Sequence, residues 1–267
     1  MKKRNLILFL FSIFIFSNAQ EIKKIVSLAP SLTKMIYLLD AKERVSGCTN
    51  YCIAKNDNVP VVGSAVETNI EKILLINPDV IIVTSLTKPE TINILKKVGL
   101  NVKEYPLPKN FLEICDQFID LGELIGKKEL AIKIVKEQKV RLAELTSEID
   151  PGIYPRIFLQ IGANPTFAAV PGSFMNDYIV QLKGFNIAHD VEVGIISTEI
   201  VLLRDPEVII IVTMGQTGSD EKKKWENYPD LAAVKNKKIF LVNPDKSCSP
   251  TPVEYIDTLE ELINLIY

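Results

Sequence analysis

Two glutamates occupy the same place in two copies of one phrase. Glu71 lies in "IEKILLINPDVIIVT", seven residues before Pro78, and Glu199 lies in "TEIVLLRDPEVIIIVT", seven residues before Pro206. A pair of carboxylates can act as acid and base, or it can bind cations on a partner. Each Glu follows residues that cap helices, so we expect it in a first helical turn, where the helix dipole stabilises a carboxylate by about 0.3–1 kcal/mol. The repeat predicts two related lobes, each with a surface carboxylate.

Other catalytic chemistry has little support in the residues present. The chain has one His and contains no GxSxG, P-loop or HExxH motif, which leaves little room for a nucleophile with a histidine base. One His and no CxxC also argue against a metal cluster. With 31 basic and 33 acidic residues and no basic stripe, nucleic acid is not an expected partner. The sequence predicts neither an enzyme nor a resident cofactor.

The N-terminus has the pattern of a secretory signal peptide. Lys2, Lys3 and Arg4 precede an apolar run over residues 6–16, and Ala19 ends a short polar segment. A basic head, an apolar run of about 7–15 residues and a small residue before the junction predict cleavage after Ala19. No Cys lies near that junction, and no other stretch is long and apolar enough to span a bilayer. We therefore expect an exported protein without a lipid anchor.

Export makes the four cysteines relevant, because disulfides persist in oxidising compartments. Cys48, Cys52 and Cys248 fall in loop-like sequence and could include one bridge, but four cysteines allow three full pairings and the sequence does not choose among them. Cys115 lies on the apolar face of a predicted helix. We expect it to be an inert core residue.

Alternating strands and helices surround the repeated phrase and predict two similar Rossmann-like α/β lobes with mainly parallel sheets. The expected organisation is a signal peptide (1–19), an N-terminal lobe (20–126), a long helix joining the lobes (127–149) and a C-terminal lobe (150–267). Ser31 is a candidate N-cap of the first helix. A ligand cleft is expected between the lobes, where loops follow the carboxyl ends of the strands. These loops are rich in small residues and contain Tyr51, Phe167 and Asp245, which suits a neutral or weakly polar ligand.

The mature chain resembles the substrate-binding proteins of bacterial ABC importers, in the group whose lobes are joined by a rigid helix and which bind cobalamin, haem or ferric siderophores. The resemblance rests on "IVSLAPSLTKMIYLL", "VETNIEKILLINPDVII", "RIFLQIGANPTF" and "TEIVLLRDPEVIII". The third piece, with "MNDYIVQLKGFNIA", is most similar to the members that bind cobalamin. This family presents one Glu per lobe to arginines of the permease dimer. The resemblance therefore implies that Glu71 and Glu199 dock the protein on its permease.

The resemblance also implies a monomer that captures a metal chelate, with cobalamin favoured. Tyr51, Phe167 and Asp245 match residues that line the cleft of the cobalamin binders, whereas Ala65, Thr84 and Val193 stand where those proteins carry tryptophans. The candidate ligand-binding residues are Ser31, Tyr51, Asn164, Phe167 and Asp245.

Three alternatives stay open. Haem is one, with Tyr51 or His189 as axial ligand, although a surface place is expected for His189. A ferric siderophore is the second and usually needs a cationic cleft, for which Lys34, Lys55 and Lys246 are the candidates. A secreted enzyme or a ligand sensor on the same scaffold is the third. For Trp225 we expect core packing rather than ligand contact.

Overall fold

The structure of the protein is a computed structural model that describes residues 21–64, 67–150, 152–213 and 218–267. The predicted signal peptide and Ala65 lie outside these residues. In the described part of the chain no helix has the length and apolar character that crossing a membrane requires.

The N-terminal half contains a four-stranded parallel sheet in the order β2-β1-β3-β4. Its two inner strands, β1 and β3, are buried along their whole length, as expected for parallel strands covered on both faces. Two single-turn 3₁₀ helices, Lys42–Arg44 and Ile53–Asp57, flank β2. The elements are β1 Ile25–Ser27, α1 Pro30–Leu38, β2 Val45–Cys48, α2 Ile70–Ile76, β3 Val80–Thr84, α3 Pro89–Lys97 and β4 Val102–Tyr105.

Two helices follow and connect the halves: α4 Phe111–Leu124 and α5 Lys128–Ser147. The second has 20 residues and is about 30 Å long at 1.5 Å per residue, close to the predicted joining helix.

The C-terminal half repeats the arrangement of the first. Strands β7, β8 and β9 pair in parallel with β5 or with each other, so that β7-β5-β8-β9 reproduces the order β2-β1-β3-β4, and β6 adds an antiparallel pairing with the end of β5. The prediction of an α/β fold with mainly parallel sheets is confirmed. The elements are β5 Arg156–Gly162, β6 Phe167–Ala168, α6 Phe174–Gln181, β7 Phe185–Asn186, α7 Thr198–Arg204, β8 Val208–Ile211, α8 Gly218–Glu226, α9 Ala232–Lys235, β9 Ile239–Leu241, α10 Pro244–Ser247 and α11 Pro252–Ile266.

The repeated phrase has the same structural role in both halves. Asp79 accepts hydrogen bonds from the backbone N–H groups of Lys24 and Lys23 at 2.9 and 2.8 Å, which hold the pKa of its carboxyl below the ordinary range. Glu207, at the matching position, accepts one from the N–H of Arg156 at 2.9 Å. Each acid thus ties the start of its lobe's first strand to the start of the central strand.

The helices of the phrase end one residue earlier than the prolines alone would require. Asn77 and Asp205 adopt left-handed backbone conformations, with φ of 50° and 45°, and precede the buried Pro78 and Pro206. Asn and Asp tolerate this conformation better than other non-glycine residues. The repeat therefore encodes a helix stop followed by a buried strand.

The largest of three hydrophobic clusters in the described residues is shared by the two halves. A single cluster of buried side chains runs from Ile25 in β1 through Cys115 in α4 to Ile157 in β5 and Tyr255 in α11. The terminal helix α11 packs against both α4 and α5, and Arg141 of α5 forms ion pairs with Asp257 and Glu260 of α11. The buried place predicted for Cys115 is confirmed.

Candidate functional site

The two lobes contact each other near the carboxyl ends of their strands. Lys34, on α1, reaches across to α11 and α10: its ammonium lies 3.0 Å from Glu254 Oε1 and donates to the backbone carbonyl of Asp245. The Lys34 side chain is only 10% exposed and the Glu254 side chain 25% exposed. This ion pair therefore lies between the lobes and is largely shielded from solvent.

A pocket of about 370 Å³ opens beside this pair. Both lobes contribute to it, because α1 and the loop after β2 form one side and α10 with its following loop forms the other. Its volume lies within the range of roughly 300–1,000 Å³ that small-molecule sites occupy. It is lined by Pro30, Lys34, Tyr51, Cys52, Ile53, Lys55, Asn56, Pro244, Asp245 and Ser249.

A larger depression of about 540 Å³ adjoins this pocket between Tyr37, Lys42 and Asn58, and Asn56 lines both. All of its lining residues belong to the N-terminal lobe, so it does not lie between the lobes. The pocket between the lobes is therefore the better candidate for a ligand site.

Tyr51 is exposed at the mouth of the pocket, on a loop whose next residue, Cys52, is buried and held by hydrogen bonds. The buried thiol of Cys52 accepts a hydrogen bond from the Thr33 hydroxyl of α1 at 3.1 Å and contacts the Thr49 hydroxyl at the same distance. A side-chain hydrogen bond with Cys48 lowers the pKa of the Cys52 thiol and raises that of Cys48. The loop can therefore present the Tyr51 ring in a defined position.

Of the predicted ligand-binding residues, only Tyr51 and Asp245 line this pocket together. Ser31 follows Pro30 in the first turn of α1 and is half-buried. It is not the N-cap that we predicted, because Pro30 with its fixed φ begins the helix before it. The N-cap is Ala29, whose methyl group cannot accept a capping hydrogen bond. Contact of these residues with a ligand stays a prediction.

Asn164 and Phe167 lie beyond β5, on the C-terminal side of the cleft. Asn164 is exposed in the turn between β5 and β6. Phe167 is half-buried, and its ring passes so close to Gly162 and Gly194 that a Cβ on either would approach it to 3.3 Å or less. Val193 is exposed next to Gly194. Phe167 and Val193, on either side of Gly194, form an apolar rim, and none of Asn164, Phe167 and Val193 lines the pocket.

The electrostatics of the pocket do not make it strongly cationic. Glu254 neutralises Lys34, and Lys55 donates to the backbone carbonyl of Asn50 at 2.8 Å. Lys246 is exposed on α10 and does not line the pocket. The arrangement suits a ligand of low charge better than a strongly anionic chelate.

The remaining candidates lie away from the pocket. His189 is exposed after β7, with its ring 4.9 Å from that of Phe185. Trp225 is fully buried, and its indole N–H donates to Gln160 Oε1 at 2.8 Å, so the predicted core packing is confirmed. Among the residues that the structure describes, no group of three or more potential ligands could hold a metal ion.

The two repeated glutamates lie at equivalent places on the lobes. Asn69 and Ser197 are the N-caps of α2 and α7, and each side chain accepts a hydrogen bond from the N–H of the third helical residue. Glu71 and Glu199 therefore stand in the first turn, as predicted, and both are exposed. The pKa of Glu199 lies below its ordinary value because its carboxylate accepts hydrogen bonds from its own N–H and from Ser197.

Each helix runs back to the start of a parallel strand, so its N-terminus points toward the carboxyl edge of the sheet. Glu71 and Glu199 accordingly flank the side of the molecule on which the cleft opens. A partner that contacted both carboxylates would lie over the cleft.

Residues 25–245 match the periplasmic binding protein family. The chain belongs to this family. It is 26% identical over 261 residues to an uncharacterized ABC transporter substrate-binding lipoprotein of Bacillus subtilis (strain 168), covering 93% of this chain and 81% of that protein. The family resemblance seen in the sequence is thereby confirmed for this binding protein.

Two solved structures extend the comparison. The crystal structure of the periplasmic vitamin B12 binding protein of Vibrio cholerae matches this binding protein with a TM-score of 0.79 and 25% identity, covering 91% of this chain and 96% of that one. The periplasmic haem binding protein of Vibrio cholerae matches with a TM-score of 0.80 at 14% identity, covering 91% and 98% of the two chains, which shows a shared fold.

Two features of the site were missed by sequence reasoning. The ion pair between Lys34 and Glu254 joins residues 220 positions apart, and no local pattern connects them. Ser249 lines the pocket from a segment without periodicity. Lys34 ends the segment "SLTK" and Glu254 ends "SPTPVE". Neither segment by itself indicates a partner for its charged residue.

Proposed function

We propose that this binding protein captures a corrinoid in the cleft between its lobes and delivers it to an ABC importer. The observation that carries the proposal is the pocket that both lobes line, with Tyr51 at its mouth and Asp245 opposite. A corrinoid is larger than this pocket, so one end of the ligand would occupy it while the corrin face rests on Tyr51 and on the apolar rim around Phe167. Family membership and the vitamin B12 binding relative support this choice of ligand.

The charge distribution favours a corrinoid over an anionic ferric siderophore, since Glu254 neutralises the innermost lysine of the pocket. Haem is the second candidate. The observation in its favour is the exposed Tyr51 phenol, which could ligate iron, whereas His189 lies on the surface away from the pocket.

The test is calorimetric titration of the purified mature protein with cyanocobalamin, haemin and a ferric siderophore. We expect one-to-one binding of cyanocobalamin. Tyr51→Phe keeps the ring but removes the oxygen and should leave cyanocobalamin affinity within about threefold, whereas Tyr51→Ala should weaken it about tenfold by removing the apolar contact. If the protein binds haemin and Tyr51→Phe does not, the haem alternative is favoured. If no heat of binding is detected with any of the three ligands, chelate capture is refuted.

Export and docking complete the proposal. The protein would act outside the cytoplasm as a monomer after removal of residues 1–19, and Glu71 and Glu199 would each pair with a cation of the permease dimer. We expect the double variant Glu71→Gln/Glu199→Gln to bind ligand normally and to support much less uptake in cells. Unchanged uptake would contradict the docking role. An enzyme or a sensor on this scaffold would not depend on the two glutamates for uptake.

A further inference from the structure

The two most exposed large apolar side chains of the described residues stand at matched positions in the repeat. Leu75 is 86% exposed on α2, and Leu203 is 80% exposed on α7. Each is the sixth residue of a seven-residue helix, and each follows the exposed glutamate by four positions. Single exposed leucines are common on protein surfaces. A matched pair beside two matched carboxylates calls for an explanation.

The helix geometry places each leucine next to its glutamate. Residues four apart lie on one face of a helix with Cβ atoms about 5–6 Å apart, and side chains lean toward the helix N-terminus. Ile73 and Val201, two positions after the glutamates, are fully buried and fix the opposite face of each helix against its sheet. Each lobe therefore presents a carboxylate and an isobutyl group side by side to solvent.

Nothing within the fold requires a leucine at these positions. The helices are already capped at both ends and anchored by their buried residues, and neither leucine belongs to a core cluster. A polar side chain would satisfy the local structure equally well. The leucines gain stabilisation only when another surface covers them.

We propose that Leu75 and Leu203 are the apolar half of the surface that docks on the permease. The proposal rests on the docking function of Glu71 and Glu199 and extends it. Because the two lobes present the same pair of groups, the partner must offer two equivalent sites, as a two-fold symmetric dimer does. Each site would combine a cation with an apolar recess about one helical turn away.

The two kinds of side chain would control different rates. Exposed charges steer encounter, so the glutamates set the association rate and its dependence on salt. Burial of an apolar side chain is insensitive to ionic screening and acts mainly on the dissociation rate. Removing the leucines should therefore shorten the lifetime of the docked complex without changing the salt dependence of its formation.

The experiment uses fluorescently labelled full-length mature protein and right-side-out membrane vesicles from the source organism, with dissociation followed after dilution into unlabelled protein. We expect Leu75→Ala/Leu203→Ala to dissociate about tenfold faster or more, with an unchanged salt slope of association. Val140→Ala, at an exposed position on α5, is the matched control and should dissociate like the unmodified protein. Circular dichroism at 222 nm confirms that each variant is folded.

The outcomes separate the two proposals. If Glu71→Gln/Glu199→Gln slows association while the leucine variant dissociates at the original rate, the glutamates dock and the leucine inference is overturned. If neither variant changes binding to the vesicles, the docking function itself fails. Equal binding of the unmodified protein to protein-free vesicles of the same lipids would show that it binds the bilayer rather than the permease and would also overturn the inference.

Discussion

The ion pair between Lys34 and Glu254 yields a prediction with a magnitude that follows from its surroundings. Lys34→Met keeps most of the aliphatic stem but removes the ammonium, which lies 3.0 and 3.2 Å from the two carboxylate oxygens of Glu254. Breaking a fully buried pair costs about 3–5 kcal/mol, whereas an exposed pair contributes only about 0.2–1 kcal/mol. The Glu254 side chain is one-quarter exposed and still accepts from the N–H of Thr251 at 3.2 Å, so its loss of the cation is partly compensated.

We therefore expect Lys34→Met to lower the free energy of unfolding by about 2 kcal/mol, between the exposed and buried limits. For a chain of this size that corresponds to a fall in Tm of roughly 4–8 °C. Circular dichroism at 222 nm during heating measures it, with urea unfolding as a second determination. The matched control is Lys128→Met, because Lys128 pairs with Glu123 at 2.8 Å where both side chains are at least half exposed.

A double-mutant cycle separates the pair from other effects of the substitution. Glu254→Gln keeps a side chain that can complete the capping box at the start of α11. We expect the loss for the double variant to be smaller than the sum of the two single losses by about 1 kcal/mol or more. The reasoning is refuted if Lys34→Met lowers the free energy of unfolding by no more than Lys128→Met does. It is also refuted if the losses for Lys34→Met and Glu254→Gln sum to the loss for the double variant.

Two further predictions concern buried polar groups. Asp177→Asn should lower the free energy of unfolding in urea by about 1.5–3 kcal/mol. The reason is that the buried carboxylate accepts hydrogen bonds from the N–H of Phe111 at 2.8 Å and from the hydroxyl of Tyr255 at 2.7 Å. An unchanged unfolding midpoint would contradict this prediction. Mild oxidation with diamide should link Cys48 to Cys52, because these two cysteines are four residues apart and buried in the same hydrophobic cluster, and the described residues contain no disulfide. Peptide mapping without reduction checks the link, and a bridge to any other cysteine would contradict it.

Much of the fold follows from patterns that lie within single segments. The helical spacing of apolar residues located α4 and α5, and the continuous apolar runs after Pro78 and Pro206 located β3 and β8. The internal repeat predicted two lobes because each copy carries its own helix start, helix stop and buried strand. Patterns of this kind are local, so a single sequence contains them.

Short elements escaped prediction because they are too brief to show a period. The two-residue strands β6 and β7 and the four-residue helices α9 and α10 have no pattern of their own. Their conformations are imposed by the strands and loops beside them. The first helix shows a related failure, since Ser31 has the chemistry of an N-cap but Pro30 begins the helix before it.

The candidate site was predictable only in part. Position after a strand singled out Tyr51 and Asp245, because carboxyl-end loops of parallel sheets form the cleft. Which of these loop residues share one pocket depends on how the two lobes are oriented. The partner that Lys34 finds on α11 depends on the same tertiary arrangement, which no spacing along the chain expresses.

The return of α11 across α5 has a consequence for the kinetics of capture. The lobes are joined by two packed helices and a continuous core, in which the ring of Phe111 on α4 lies 5.0 Å from the ring of Tyr255 on α11. A hinge made of a single loop bends at little cost, but here wide opening would have to shear packed helices and separate those rings. We therefore expect the cleft to stay preformed between encounters. If a ligand enters without a preceding conformational step, the pseudo-first-order rate constant of association should rise in proportion to ligand concentration without reaching a plateau.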